Sequence, residues 1–301
     1  MNKPQINLVV ELKNAVGESP LWDARTDSLY WVDIPNRMLY CWSAADNTVK
    51  QWLAPEMIAC IGLHGEDGFI AGMESGVFAV RPGDGNALAV RQVAPVQHAD
   101  SPMRFNDGRC DRQGRFWTGT MHVDMSLKRA AGALYRLDHR GLRQQLDRLL
   151  VPNGLAWSPD GRTMYLSDSH PTVQTVWAFD YDVQEGRPSN RRVFIDMNRY
   201  PGRPDGAAVD ADGCYWICGN DAGMVHRFTP EGRLDRSIEL PVRKPAMCAF
   251  GGSNLDTLFV TSIRPDHPSV ATEQPLAGSV FSFNPGVKGI AEQSFPYPVS
   301  R

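Results

Sequence analysis

No stretch of the chain approaches the roughly 18 uninterrupted apolar residues that span a bilayer, so no membrane-crossing helix is expected. Residues 1–17 also lack a basic flank followed by an apolar run, and the chain reads as unexported. Neither sign of charge is in excess, with 31 Lys and Arg against 34 Asp and Glu and a net charge of -3. Binding to a phosphate backbone needs clustered cations, so nucleic acid is not an expected partner. The six cysteines form no CxxC pair and no small-domain framework. They are expected to be buried reduced thiols, as in a cytoplasmic protein, with Cys214 and Cys218 four apart in one strand-like run. HExxH, GxxxxGK(S/T), GxSxG and a strand-linked GxGxxG are all missing, which argues against the usual zinc protease, nucleotide enzyme and serine hydrolase. Long amphipathic helices are missing too; one short helical segment is expected over Ser126 to Ala131, ended by Gly132.

What is abundant is turn and strand. The chain has 27 Gly and 22 Pro, and between them lie short aromatic or β-branched runs such as SLYWVDI, GRFWTGTM, TMYLSD and CYWICG. Laid over one another, these runs reveal a repeat: an apolar strand, a turn of the Asp-Gly kind, then an aromatic strand. Residues 153–168 (NGLAWSPDGRTMYLSD) and 205–219 (DGAAVDADGCYWICG) carry it most clearly, and it recurs from 18, 60, 106 and 247. A third strand follows each unit, in MLYCW, GVFAV, GALYRLD, TVWAFDY, MVHRFT and SVFSF. Units of about 40–50 residues built from short strands are β-propeller blades. The expectation is an all-β, six-bladed β-propeller over residues 1–301 as a single domain, with the aromatic residues as wedges between blades.

In a propeller the innermost strand of each blade lines the central channel, so residues at one phase of the repeat form a ring. The first phase position reads Glu18, Cys60, Asn106, Asn153, Asp205 and Met247. Four of these six bear side-chain oxygen, and two are carboxylates, which suit a hard cation at one end of the channel. Asp and Asn before Gly are also common turn formers, but four at one phase point to a central metal site. The seven histidines share no phase, although His122 and His170 follow central-type strands and could reach the channel mouth.

The segments GESPLW from Gly17, RFNDG from Arg104, GTM from Gly119, PNGLAWSPDG from Pro152 and PDG from Pro204 resemble, in order and over most of the chain, the regucalcin (senescence marker protein) and gluconolactonase family. The resemblance implies a six-bladed propeller that binds one divalent cation and hydrolyses a sugar lactone. Carried over by residue, it places the metal ligands at Glu18, Asn153 and Asp205, with Asp205 catalytic, and substrate contacts at Arg104 and Asn106. Where vertebrate members carry an acidic residue after Gly-Thr-Met, this chain has Met121 and His122, followed by Val123 and Asp124, and these are candidate substrate contacts.

Lactone hydrolysis needs a polarised carbonyl, an attacking water and a stabilised oxyanion. Asp205 is expected to orient or deprotonate the water, and Arg104 to hold substrate oxygens through its forked donors. Ca, Mg, Mn, Zn and Fe(II) all remain open as the ion, as does the sugar: gluconic, galactonic, xylonic, arabinonic or modified, with Arg203 a possible contact for an anionic substituent. A non-catalytic calcium-binding or protein-interaction propeller is the alternative.

Overall fold

The computed structural model describes residues 3–66 and 68–299. Asp67, in the turn of the second repeat, lies outside the described residues, as do the extreme ends of the 1–301 span.

The described residues form 24 strands in six four-stranded sheets, the blades of a propeller. The first strand in the chain, β1 (Asn7–Val10), belongs to the last blade. Blade one follows as β2 (Gly17–Asp23), β3 (Ser28–Asp33), β4 (Met38–Ser43) and β5 (Val49–Leu53). Blade two is β6 (Ile58–His64), β7 (Gly68–Met73), β8 (Gly76–Arg81) and β9 (Ala89–Pro95), and blade three is β10 (Met103–Cys110), β11 (Phe116–His122), β12 (Gly132–Asp138) and β13 (Gly141–Leu149). Blade four comprises β14 (Pro152–Trp157), β15 (Thr163–Asp168), β16 (Thr175–Asp182) and β17 (Arg187–Asp196), and blade five β18 (Arg203–Val209), β19 (Tyr215–Asn220), β20 (Met224–Phe228) and β21 (Leu234–Glu239). Blade six has β22 (Pro245–Gly251), β23 (Thr257–Ser262) and β24 (Val280–Phe283), with β1 as its outermost strand. The pairing Leu8 to Phe281 and Val10 to Val280 closes the ring.

Each repeat start lies in an innermost strand, and the third-strand segments fall on β4, β8, β12, β16, β20 and β24. The innermost strands are buried on both faces, as β2, β6 and β22 show. The outermost strands are mostly exposed; in β5 only Trp52 is buried, and its Nε1 donates to the Gly83 carbonyl at 2.9 Å. Trp31, Trp117 and Trp216 in the second strands are fully buried wedges. Each such side chain contributes about 1.5–3 kcal/mol by leaving water.

Turns after the innermost strands of blades three and five are held by buried carboxylates. Asp210 accepts from the backbone N–H of Asp212 (3.0 Å) and Cys214 (2.9 Å) and from Trp216 Nε1 (2.8 Å). It also pairs with Arg227 Nε at 2.8 Å, deep in the blade. Asp111 repeats the arrangement, accepting from Gln113 N and Arg115 N at 2.9 Å and from the Tyr181 hydroxyl at 2.5 Å.

The expected helix over Ser126 to Ala131 is absent. Asp124 instead caps a 3-10 turn over Met125–Leu127, accepting from Ser126 N at 2.9 Å, and Lys128 ends it in the left-handed region at φ 50°. So short a segment cannot offset helix nucleation. The one α-helix among the described residues, α1 (Pro268–Glu273), lies between β23 and β24 with Pro at its first turn. No helix of the described residues is long and apolar enough to cross a membrane. All six cysteines are buried and free. Cys218 lies in β19 and Cys214 just before it.

Candidate functional site

The innermost strands share an irregularity that aims the site. Pairing of each with its neighbour slips within three residues of the first phase position: between Glu18 and Leu21, Ile58 and Cys60, Phe105 and Gly108, Asn153 and Ala156, Pro204 and Ala207, and Pro245 and Cys248. A bulge bends the strand and redirects side chains that a regular pleat would send to one face or the other. Glu18, Asn106, Asn153 and Asp205 therefore all sit at bulges at one end of the axis, and all are buried.

Gly154, inside the blade-four bulge, has φ +66°. A Cβ there would lie 2.5 Å from the Tyr215 hydroxyl and 2.8 Å from Ser167 Oγ, so only glycine fits. Neighbouring blades hold this bulge: Asp107 accepts from Leu155 N at 2.9 Å, and the Tyr215 hydroxyl donates to the Gly154 carbonyl at 2.7 Å.

A directional chain of hydrogen bonds runs across blades three to five. Arg104 Nη1 donates to Asn106 Oδ1 (2.8 Å) and to the Phe105 carbonyl (2.8 Å). Asn106 Nδ2 donates to Asn153 Oδ1 (3.1 Å), Asn153 Nδ2 to Ser169 Oγ (2.6 Å), and the Ser169 hydroxyl to the Pro204 carbonyl (2.6 Å). The next residue, Asp205, accepts from Asn220 Nδ2 at 2.5 Å. Each donor fixes the orientation of the amide that follows it, which is how a neutral side chain is held at one rotamer in a site.

Burial pushes the Glu18 carboxyl well above its usual range, and Asp205 and Asp107 push it further. Burial likewise raises Asp205 to about 7, against the opposing pull of Arg203 and Asn220. Asp107 is raised by burial too, and its Oδ1 is buried without a hydrogen-bond partner. Arg104 is partly open to the channel, yet desolvation pulls its guanidinium down to about 10 against the field of Glu18. It makes no ion pair among the described residues.

These side chains fit a divalent cation. Glu18 accepts a hydrogen bond from Ser19 N alone at 3.1 Å, and two mutually repelling buried carboxylates lack a compensating ion pair at their centre. Glu18, Asp205 and Asn153 offer a hard oxygen set with limited negative charge. Among the described residues no three His, Cys, Asp or Glu side chains form a metal cluster, and a set of two carboxylates and one carboxamide falls outside that class.

A stability test follows from the sign of the Asp205 shift. A carboxyl raised from 3.8 to about 7 stays protonated more readily in the fold than in the unfolded chain. Its contribution is fully present below pH 3.8 and is lost as pH rises through about 7. Chelator-treated protein is expected to unfold at lower urea at pH 8 than at pH 5, and Asp205→Asn to flatten that difference. Equal pH profiles for the two proteins would count against the burial of this carboxyl.

The other expected contacts divide. Met121 pairs opposite Arg104 in the β10 and β11 ladder and is buried. The His122 ring is engaged by its own blade, with Nδ1 3.1 Å from Asp124 N and Nε2 3.4 Å from the Ser101 carbonyl, and no hydrogen bond joins it to Arg104, Asn106, Asn153 or Asp205. His170 Nδ1 lies 2.7 Å from Thr172 Oγ1, and its Nε2 lies 3.1 Å from the Met125 carbonyl, on the loop after β11. Sequence reasoning did not single out Ser169, Asn220, Tyr215 or Asp107. Only Asp107 carried a signal, as the neighbour of Asn106 in the RFNDG segment.

Residues 16–264 match the family of the SMP-30/Gluconolactonase/LRE-like region. The chain is 37% identical over 294 residues to a 6-deoxy-6-sulfogluconolactonase of Pseudomonas putida, covering 96% of this chain and 98% of that protein. It is 35% identical over 301 residues to a regucalcin of Danio rerio, covering 98% and 99%. Among solved structures, a luciferin-regenerating enzyme superposes with a TM-score of 0.90 at 28% identity, covering 98% of this chain and 100% of that one.

Proposed function

Because the chain belongs to the SMP-30/gluconolactonase/LRE-like family, we propose that it hydrolyses a sugar lactone to the open-chain sugar acid, using a divalent cation held by Glu18, Asn153 and Asp205. The observation that carries this reading is a partly open Arg104 without an ion pair, set beside two buried carboxylates in one channel end. A guanidinium offers only donors and cannot itself ligate a cation. A lactone can engage one, since its hydroxyl oxygens accept from a planar fork. A relative named as a 6-deoxy-6-sulfogluconolactonase and the family model's gluconolactonase description support the class of substrate.

When bound, the cation supplies Lewis-acid polarisation of the lactone carbonyl. Asp205, as carboxylate, accepts a proton from the water that attacks the carbonyl carbon. Collapse of the tetrahedral species breaks the ring C–O bond, and the departing oxygen takes a proton back, leaving the acid and a hydroxyl. Asn220 keeps Asp205 in place through the 2.5 Å hydrogen bond. Arg104, steadied by Asn106, holds the sugar, and Met121 opposite it walls the contact. The six free cysteines suit a reducing cytoplasmic setting.

The test is a lactone panel followed by proton release, with protein stripped by chelator and reloaded with single metals. Gluconolactone and its 6-deoxy-6-sulfo analogue belong in it. Turnover restored by one or more divalent ions is expected, and absence of turnover with every ion overturns the reading. Arg104→Ala is expected to leave metal content intact while kcat/KM falls about 30- to 150-fold, the worth of a charged hydrogen bond. Arg104→Lys should recover part of it. Full activity in Arg104→Ala would make this residue a bystander.

A further inference from the structure

The face that carries the site holds a cationic group that the hydrolytic step leaves unused. Arg203 opens β18 two residues before Asp205, the phase that Arg104 holds two residues before Asn106 in β10. Blades three and five thus each set a guanidinium on either side of Asn153. Arg203 Nε lies 2.5 Å from Asp221 Oδ2, and Lys244 Nζ lies 3.3 Å from Asp221 Oδ1. Two cations share Asp221, and Arg203 also acts on the Asp205 carboxyl. Arg203 is tied to the site wall as well, since its Nη1 donates to the Ser169 carbonyl at 3.3 Å while the Ser169 hydroxyl accepts from Asn153.

Burial orders these groups by depth. Glu18 and Asp205 are 8% and 7% exposed, whereas the side chains of Arg203, Lys244 and Asp221 are 20%, 36% and 42% exposed. A lactone with its carbonyl at the carboxylates meets these cations only if its exocyclic end points to this more exposed side. A hydroxyl there gains little from a guanidinium already paired with Asp221. A permanent oxyanion gains the guanidinium's remaining Nη donors and the ammonium point charge together.

We propose that Arg203 and Lys244 form a subsite for a sulfonate or phosphate carried on the exocyclic carbon of the sugar lactone, with Asp221 holding the two cations together between turnovers. This rests on the lactonase reading. The experiment compares kcat/KM for 6-deoxy-6-sulfogluconolactone, 6-phosphogluconolactone and gluconolactone in metal-loaded wild type, Arg203→Gln, Arg203→Lys and Lys244→Gln. The wild type should prefer at least one anionic lactone, and which one names the group. The anionic-to-neutral ratio should fall about 10- to 100-fold in Arg203→Gln, in line with one charge-assisted hydrogen bond. It should fall less in Arg203→Lys and Lys244→Gln, and should shrink in wild type as salt rises. A wild-type ratio near one, or a ratio unmoved in both glutamine variants, overturns the proposal. Calorimetric binding of 6-deoxy-6-sulfogluconate against gluconate separates the two readings. If no lactone turns over but the sulfonate acid still binds more tightly in an Arg203-dependent way, the lactonase reading fails and the anionic subsite stands.

Discussion

Asp205→Ala is expected to remove activity and metal binding together, with kcat/KM down about a thousandfold or more. Two losses coincide in this one side chain. In the proposed site Asp205 is one of two carboxylate ligands, so its removal would leave the cation under-coordinated, and it is also the group proposed to take the proton from water. Asp205→Asn divides the two roles, because a carboxamide keeps an oxygen for the cation but cannot accept the proton. Calorimetric titration with metal and steady-state kinetics on the best lactone should therefore show partial metal affinity with little activity in the Asn variant. Wild-type turnover in either variant would remove Asp205 from the mechanism.

The second large effect is on folding. Asp210→Ala is expected to destabilise the protein by about 3–5 kcal/mol, because it breaks a buried pair and leaves Arg227 without its innermost partner. Arg227 keeps Asp212 and Asp235, each at 3.0 Å, but both reach toward solvent, whereas Asp210 is fully buried. The same change also strips an acceptor from Trp216 Nε1 and from two backbone N–H groups of the turn. Asp210→Asn retains acceptor oxygen and should cost less. Equilibrium denaturation reads both, and an unchanged midpoint for Asp210→Ala would mean that the turn is held by the backbone alone.

Much of this architecture was legible because the repeat is written in turn chemistry. The Asp-Gly turns after Ala211 and after Pro159 sit at equal offsets from Asp205 and Asn153, and that phase located four of the side chains that meet at the channel end. The third strands were legible through their alternation of apolar and aromatic residues. The fourth strands were not, since segments such as VKQWL and LDRSIE are mostly exposed and show little pattern. Membership of β1 in the last blade had no local signal either, because it depends on pairing with a strand at the other end of the chain. The bulges were invisible for a related reason. They are differences in register between two strands, and they leave a trace where only glycine fits inside them, at Gly154 with φ +66° and at Gly206, where a Cβ would lie 2.3 Å from Met247. Ser169, Asn220 and Tyr215 act through hydrogen bonds that close only once blades or neighbouring strands are in place. The expected helix near Ser126 failed because propensity was read without length, and the sequence analysis singled out no signal for the six-residue α1.

The pairing of β1 with β24 also sets an order of events during synthesis. β1 leaves the ribosome before any blade exists, while its partner emerges only after five blades can already have formed. Until then β1 lacks the strand it pairs with, and its edge is open to any extended segment of another chain. Closure joins contacts of the greatest sequence separation in the molecule, the kind that are slow to form. If blades form in order of synthesis, the ring would stand as an unclosed arc until β24 is made, and its closing would be the step most exposed to competition from a neighbouring copy.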